Sequence, residues 1–208
     1  MINKTIKLNK MKKTIGIIGA GNIGKTVATH LVKNGYAVKI SNSKHPGSLT
    51  ETIEQLGNGA TAVTATEAAE ADIVFLALPW TQVKSLTQIA NWNNKIVIDA
   101  TNHFITPDMQ VADLGNRTSS EVVQDYLPGA RIVKAFNTLY FKVLEENPVV
   151  ANGHRVLFVS GDDNEAKVQV SEMIKDIGFA PIDLGSLSVG GKLQQAKGAL
   201  SLLNFIKL

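Results

Sequence analysis

The sequence predicts an α/β fold built on a doubly wound, mostly parallel sheet with a small C-terminal α/β lobe. Short β-branched apolar runs alternate with helix-period segments along the chain, and the first such run ends at a glycine cluster that opens a helix. The length of 208 residues allows one large domain, or one domain plus a lobe.

Thr14–Ile18 is an apolar run of the kind that forms a strand buried on both faces. After it, Ile23, Val27, Leu31 and Val32 recur at helical spacing and stop at Asn34-Gly35, a helix C-terminal signal. Tyr36–Ser41 is the next strand, so the first 41 residues form one βαβ unit. Further strands are expected at Ala60–Thr64, Asp72–Leu78, Lys95–Asp99, Arg131–Phe136, Arg155–Ser160 and Pro181–Leu184. Between the strands the clearest helical stretches are Trp80–Ala90, Thr138–Glu146 and Asn164–Ile177. This alternation implies parallel strands covered on both faces. A soft boundary divides residues 13–136 from a lobe at 137–208, because Asn147-Pro148 and Asn152-Gly153 interrupt the pattern. The apolar run Ala199–Ile206 is hard to bury in so small a lobe, which leads to an expected homodimer, with a core-packed terminal helix as the alternative.

Composition removes several functions. The chain has no cysteine, which excludes disulfides, thiolate metal sites and cysteine nucleophiles and fits a cytoplasmic protein. The longest uncharged apolar stretch, Ile73–Trp80, is far short of the roughly 20 residues that span a bilayer, so no membrane partner is expected. The net charge of +3 is concentrated in residues 1–13, where Lys4, Lys7, Lys10, Lys12 and Lys13 stand without an acid. Those five leave 16 of the 21 basic residues against 18 acidic ones, a balance that offers nothing to a nucleic-acid backbone. Residues 1–12 read as a disordered extension or an upstream start, with neither a secretory h-region nor a transit-peptide composition.

The strongest chemical signal is Gly19-Ala20-Gly21-Asn22-Ile23-Gly24, a GxGxxG between a strand and a helix in a βαβ unit of the right length. In that context it is a dinucleotide fingerprint of the Rossmann type: Gly19 makes the tight turn, Gly21 admits the pyrophosphate, and Gly24 lets helix and strand approach. The helix N-terminus adds unpaired N–H groups and a partial positive charge. Beyond the second strand, where NAD-binding proteins carry an acid, the chain reads Asn42-Ser43-Lys44-His45, and no acid appears before Glu51. Small hydrogen-bonding side chains followed by a lysine suit a 2′-phosphate, so the cofactor reads as NADP(H). A plain polar loop is the other reading.

Three more segments fall at the carboxyl edge of the expected sheet, where open α/β sheets bind ligands. Leu78-Pro79-Trp80 closes one strand, with Trp80 either walling the nicotinamide pocket or packing on the following helix. Asp99-Ala100-Thr101-Asn102 and Phe136-Asn137-Thr138 close two others, and Thr101 and Asn137 join the candidate set as polar groups near the nicotinamide. No catalytic residue stands out. His103 is placed at the right edge but reads first as a solvated loop histidine; Lys134 and Lys192 are the other candidates, and no metal cluster is visible. A nicotinamide site without an evident acid–base residue fits hydride transfer between two cofactor rings, which need alignment above all.

Taken together, the Gly19–Lys25 turn, Ser41-Asn42-Ser43-Lys44, Leu78-Pro79-Trp80, Lys134–Thr138 and Ser160-Gly161-Asp162-Asp163 resemble the coenzyme F-420-dependent NADP oxidoreductase family over residues 13 to about 190. The resemblance implies an NADP(H)-binding Rossmann domain with a lobe closing a pocket over the nicotinamide. Members exchange a hydride between NADP and a deazaflavin, and the similar cytosolic domains of membrane ferric reductases pass electrons from NADPH to a flavin. By motif, Gly19–Gly24 would hold the pyrophosphate, Asn42–Lys44 the 2′-phosphate, and Leu78–Trp80 with Asn137 the nicotinamide ribonucleotide. The family often has arginine where Lys44 stands, and Gly185–Lys192 resembles a bacterial subgroup of undefined substrate. β-Hydroxyacid dehydrogenases and pyrroline carboxylate reductases share the glycine fingerprint but add long helical C-terminal domains, so their substrates are not expected.

The sequence therefore supports an NADP(H)-dependent oxidoreductase passing a hydride to a flavin-like, deazaflavin-like or small electrophilic acceptor. The alternative is a non-catalytic NADP(H)-sensing protein.

Overall fold

The computed structural model describes residues 12–105 and 108–208. The expected extension over residues 1–12 therefore lies outside the described residues, apart from Lys12, whose ammonium pairs with Asp176 at 3.1 Å and sits over the Tyr36 ring.

In chain order the elements are β1 (Ile15–Ile18), α1 (Asn22–Lys33), β2 (Val38–Ser41), α2 (Thr50–Leu56), β3 (Ala60–Ala62), α3 (Ala65–Ala69) and β4 (Ile73–Leu76). A 3-10 helix, Trp80–Gln88, leads to β5 (Ile96–Asp99), the hairpin strands β6 (Phe104–Ile105) and β7 (Gln110–Val111), α4 (Ser119–Tyr126) and β8 (Arg131–Lys134). Then follow α5 (Phe141–Glu145), β9 (Val149–Val150), β10 (Gly153–Gly161), α6 (Asn164–Asp176), β11 (Ala180–Asp183), α7 (Gly190–Gln194) and β12 (Ile206–Lys207).

The main sheet runs β11-β10-β8-β5-β4-β1-β2-β3, with β9 and β12 added to β10. From β3 to β8 every pairing is parallel. Side chains on successive residues serve opposite faces, as strand pleating requires. Ile15 and Ile17 of β1, Phe75 of β4 and Ile98 of β5 enter a core with Val27 and Leu31 of α1 and Val170 and Ile174 of α6. Their neighbours Ile18, Val74, Leu76 and Val97 enter a second core with Ala68 of α3, Leu86 of the 3-10 helix and Val123 of α4. Apolar cores on both faces of one sheet, with a smaller cluster of Val156, Phe158 and Ala180 at its β10–β11 end, define the doubly wound architecture.

The differences from the sequence reading have local causes. Trp80–Gln88 is 3-10 rather than α-helical: Gln82 N–H donates to Pro79, and the Ser85 and Thr87 hydroxyls donate to the carbonyls three residues back, competing with an α ladder. The helix expected from Thr138 begins only at Phe141, after the extended cap residue Tyr140. β10 runs antiparallel to β8, with Ser160 opposite Lys134, and parallel to β11; apolar periodicity carries no strand direction. The C-terminal run is not a helix. Lys197 and Leu202 adopt positive φ (62° and 64°), which breaks the chain into turns before β12 pairs antiparallel with the start of β10.

Candidate functional site

β1 and β4 are neighbours, yet the chain leaves β1 through α1 on one face and reaches β4 through α3 on the other. Such a point of reversal opens a crevice at the carboxyl ends of the strands. The glycine turn lies there. Gly19 has φ +116°, and a Cβ on it would stand 2.2 Å from the Ala77 carbonyl oxygen. A Cβ on Gly24 would stand 1.9 Å from the Gly19 oxygen. These two glycines are demanded by packing. Gly21 is not: its φ is −79° and a Cβ there would meet nothing within 4 Å. Gly21 is also the N-cap of the 12-residue α1, without a side-chain cap and with no acid in the first turn. The positive end of α1 faces open space.

Three clefts continue from this turn and share Ala77. One of about 510 Å³ is lined by Gly19, Ala20, Gly21, Asn42, Ser43, Leu78 and Pro79. A second of about 290 Å³ is lined by Ile23, Leu78, Pro79, Trp80, Thr101 and Asn102. The third, about 350 Å³, passes Gly21, Asn22 and Ile23 to reach Asn102 and Asn137. The tertiary structure thus gathers on one track all the sequence-derived positions except two. Gly24 is buried under the turn, and Lys44 is exposed, with its backbone N–H donated to Asn42 Oδ1 at 2.9 Å. The Asn42 amide also donates to Ser48 Oγ at 2.9 Å, so Asn42 shapes the loop that carries Ser43 and Lys44.

Below the track lies a polar network. The Asp99 carboxylate, fully buried, accepts from Thr101 N–H (2.9 Å), Thr101 Oγ1 (2.6 Å), Ser120 Oγ (2.5 Å) and Lys134 Nζ (3.1 Å). Burial alone pushes this carboxyl upward, but the Lys134 charge and the Ser120 and Thr101 hydrogen bonds outweigh it and hold it below the usual carboxylate range. Lys134 also donates to the Thr101 carbonyl at 2.9 Å, which ties the end of β5 to that of β8. Immediately beyond, Asn102 and Asn137 are paired: Asn102 Nδ2 donates to the Asn137 carbonyl (3.0 Å), and Asn137 Nδ2 donates to Asn102 Oδ1 (3.1 Å) and the Gln194 carbonyl (2.8 Å). Both Asn137 amide hydrogens are therefore used, which fixes its orientation. Its Oδ1 is buried and, among the described residues, has no partner. Phe136, just before it, is a buried aromatic residue at φ +65°, a backbone strain of the kind that clusters at ligand sites.

Trp80 lines a cleft and also reaches across to α4. Its indole N–H donates to the Ser119 carbonyl at 3.3 Å, while the side chain also lines the second cleft. His103 departs from expectation. It is not solvated but 4% exposed, edge-on to Trp80 with centroids 6.3 Å apart. Burial, reinforced by the Lys134 charge, lowers its pKa, so the imidazole is neutral near pH 7. Lys134 is consumed by Asp99, and Lys192 is exposed. His30 is held by the Leu144 carbonyl at 2.7 Å and His154 by that of Gly178 at 2.7 Å, both structural contacts. Among the described residues no group of three or more His, Cys, Asp or Glu side chains could hold a metal ion, and no helix is long and apolar enough to cross a membrane.

Sequence reasoning missed three contributors. Gln194 spans strands, donating to the Lys134 and Phe158 carbonyls and accepting from the Ser160 hydroxyl. Tyr140 and Leu202 wall the third cleft, and Leu202 is brought there by its N–H donating to the Thr138 carbonyl at 2.8 Å. No local pattern announces any of them. α3 and α4, by contrast, begin with capping boxes, Thr64/Glu67 and Thr118/Glu121, a signal that was present in the sequence.

Residues 14–103 match the family model described as NADP oxidoreductase coenzyme F420-dependent. A solved structure of a hypothetical protein from Sinorhizobium meliloti is 41% identical, covers 95% of this chain and 97% of its own, and superposes with a TM-score of 0.90. A protein of Arthrobacter sp. FB24 provisionally named an F420-dependent NADP reductase shares the fold at 24% identity and a TM-score of 0.74, covering 85% of this chain and 86% of its own. The metalloreductase STEAP3 of Rattus norvegicus is 30% identical over 177 residues, 84% of this chain; the chain spans about a third, 34%, of that relative's length. On the family match and the near full-length S. meliloti relative, the chain belongs to the F420-dependent NADP oxidoreductase family.

Proposed function

We propose that the chain binds NADP(H) along the three clefts and passes its hydride to an organic acceptor that is flavin-like, deazaflavin-like or a small electrophile. The observation that carries this reading is Gly21: no packing demand explains a glycine there, and it leaves an uncapped, acid-free helix N-terminus facing open space, as a pyrophosphate requires. The fit continues along the track. Ser43 lines the first cleft with a hydroxyl, Lys44 stands exposed next to it in the chain as a cation for a 2′-phosphate, and among the described residues no carboxylate lines that cleft. At the far end, Asn137 Oδ1 is a buried acceptor awaiting a donor such as the nicotinamide carboxamide N–H. Leu78, Pro79, Trp80 and Thr101 form the wall between them. When bound, NADPH supplies the hydride; the protein binds and orients, and the neutral, buried His103 leaves the rings to carry the chemistry.

The test is a parallel titration with NADPH and NADH, following nicotinamide fluorescence without any acceptor. NADPH should bind at least tenfold tighter, about 1.4 kcal/mol; equal or better NADH binding rejects the 2′-phosphate assignment. Tight NADPH binding with no turnover against any acceptor would favour the NADP(H)-sensing reading. A homodimer belongs to the same proposal, since Leu203 (45%) and Leu208 (91%) remain exposed; sedimentation of a monomer at micromolar concentration rejects it.

A further inference from the structure

We infer that the hydride acceptor is an uncharged planar redox ring, an isoalloxazine of the riboflavin type, rather than a phosphorylated flavin, an anionic deazaflavin or a metal chelate. The inference rests on the proposed NADP(H) binding and concerns the outer half of the third cleft. Four apolar side chains meet there from three separate parts of the chain: Met109 beside β7, Tyr140 and Phe141 at the start of α5, and Leu202 near the C-terminus. Three of them are unusually exposed for their size, Met109 at 63%, Tyr140 at 50% and Leu202 at 70%. Solvent-exposed apolar groups converging on one concave site, with a few neutral polar groups at its base, mark a ligand site. Tyr140 and Phe141 stand 4.7 Å apart between ring centroids, so the wall is itself aromatic. A flat ring gains dispersion and stacking against such a wall.

Charge narrows the class. Among the described residues, no lysine, arginine, histidine, aspartate or glutamate lines this cleft; its polar groups are the side chains of Asn22, Asn102, Asn137 and Ser201 and the Tyr140 hydroxyl. A phosphate tail would find no cation there, and it would lie beside the α1 N-terminus already assigned to the cofactor's own pyrophosphate. Two anions competing for one helix end repel each other. A ferric chelate would find neither a carboxylate nor an imidazole. The redox balance is simple: the dihydronicotinamide loses a hydride, the oxidised ring gains that hydride and one proton from water, and the products are NADP⁺ and the dihydro ring.

The experiment has a binding arm and a turnover arm on the full chain. Flavin fluorescence is titrated with the NADP⁺-loaded protein, using riboflavin and FMN, so that no reaction occurs. NADPH oxidation is then followed with riboflavin, FMN and ferric citrate. Riboflavin should bind at least tenfold tighter than FMN and show a correspondingly higher kcat/KM. Leu202→Lys, a change at a surface position, should narrow that ratio severalfold by supplying a cation, and 0.5 M salt should reverse the narrowing. FMN binding as well as or better than riboflavin overturns the inference, as does reduction of ferric citrate alone. Failure of NADPH itself to bind is a different result, which removes the cofactor reading beneath it.

Discussion

The Asp99 carboxylate and the Lys134 ammonium, neither with any solvent exposure, lie 3.1 Å apart at the ends of two neighbouring parallel strands. A buried pair of this kind adds little net stability over an apolar pair, but removing one partner strands the other charge. Lys134→Met is expected to cost about 3–5 kcal/mol in denaturant unfolding. Adding Asp99→Leu to it should cost less than the sum of the two single changes, because the sites share one network.

The same carboxyl sets an acid limit. Asp99 is held below the usual carboxylate range in the fold, so its contribution is complete above the unfolded value of about 3.9 and is lost as pH falls below that. Unfolding free energies measured from pH 5 down to pH 2 should fall, and the fall should be shallower in the Asp99→Leu/Lys134→Met double variant.

Two histidines act at higher pH. His30 and His103 both have lowered pKa values, chiefly from burial, so below about 6.5 the unfolded chain takes up protons that the fold resists. Stability should be complete above that value and decline between pH 6.5 and pH 5. His103→Gln should flatten this decline; an unchanged slope would show that His103 titrates alike in both states.

The glycine turn separates packing from binding. Gly24→Ala would press a methyl against the Gly19 carbonyl and should lower the melting temperature or prevent folding. Gly21→Ala meets nothing and should change stability by less than about 0.5 kcal/mol. It should nonetheless weaken NADPH binding at least tenfold, about 1.4 kcal/mol. If Gly21→Ala binds NADPH normally, the pyrophosphate does not lie on this turn.

Lys44 tests the proposed 2′-phosphate site. Lys44→Glu, at an exposed position, should leave folding intact, weaken NADPH roughly tenfold by placing a carboxylate near a phosphate, and leave NADH unchanged. Parallel nicotinamide-fluorescence titrations decide it; equal effects on both cofactors would place the phosphate elsewhere.

The sequence by itself determined the parts that are local. The run Ile15-Gly16-Ile17-Ile18 is apolar at every position because both faces of β1 are covered, and the glycine turn follows because α1 must start close under β4. Those constraints act between residues near in the chain, so they leave a readable pattern. Only the tertiary structure decided how distant segments meet. Asp99 finds Lys134 across 35 residues, Gln194 reaches Ser160 across 34, and Leu202 is tied to Thr138 to wall the outer cleft. A hydrogen bond between strands imposes no period on either segment, and burial turned His103 from an expected loop side chain into a neutral core group. The glycine turn was therefore legible as a motif, whereas the cleft walled by Tyr140 and Leu202 existed only once the chain had folded.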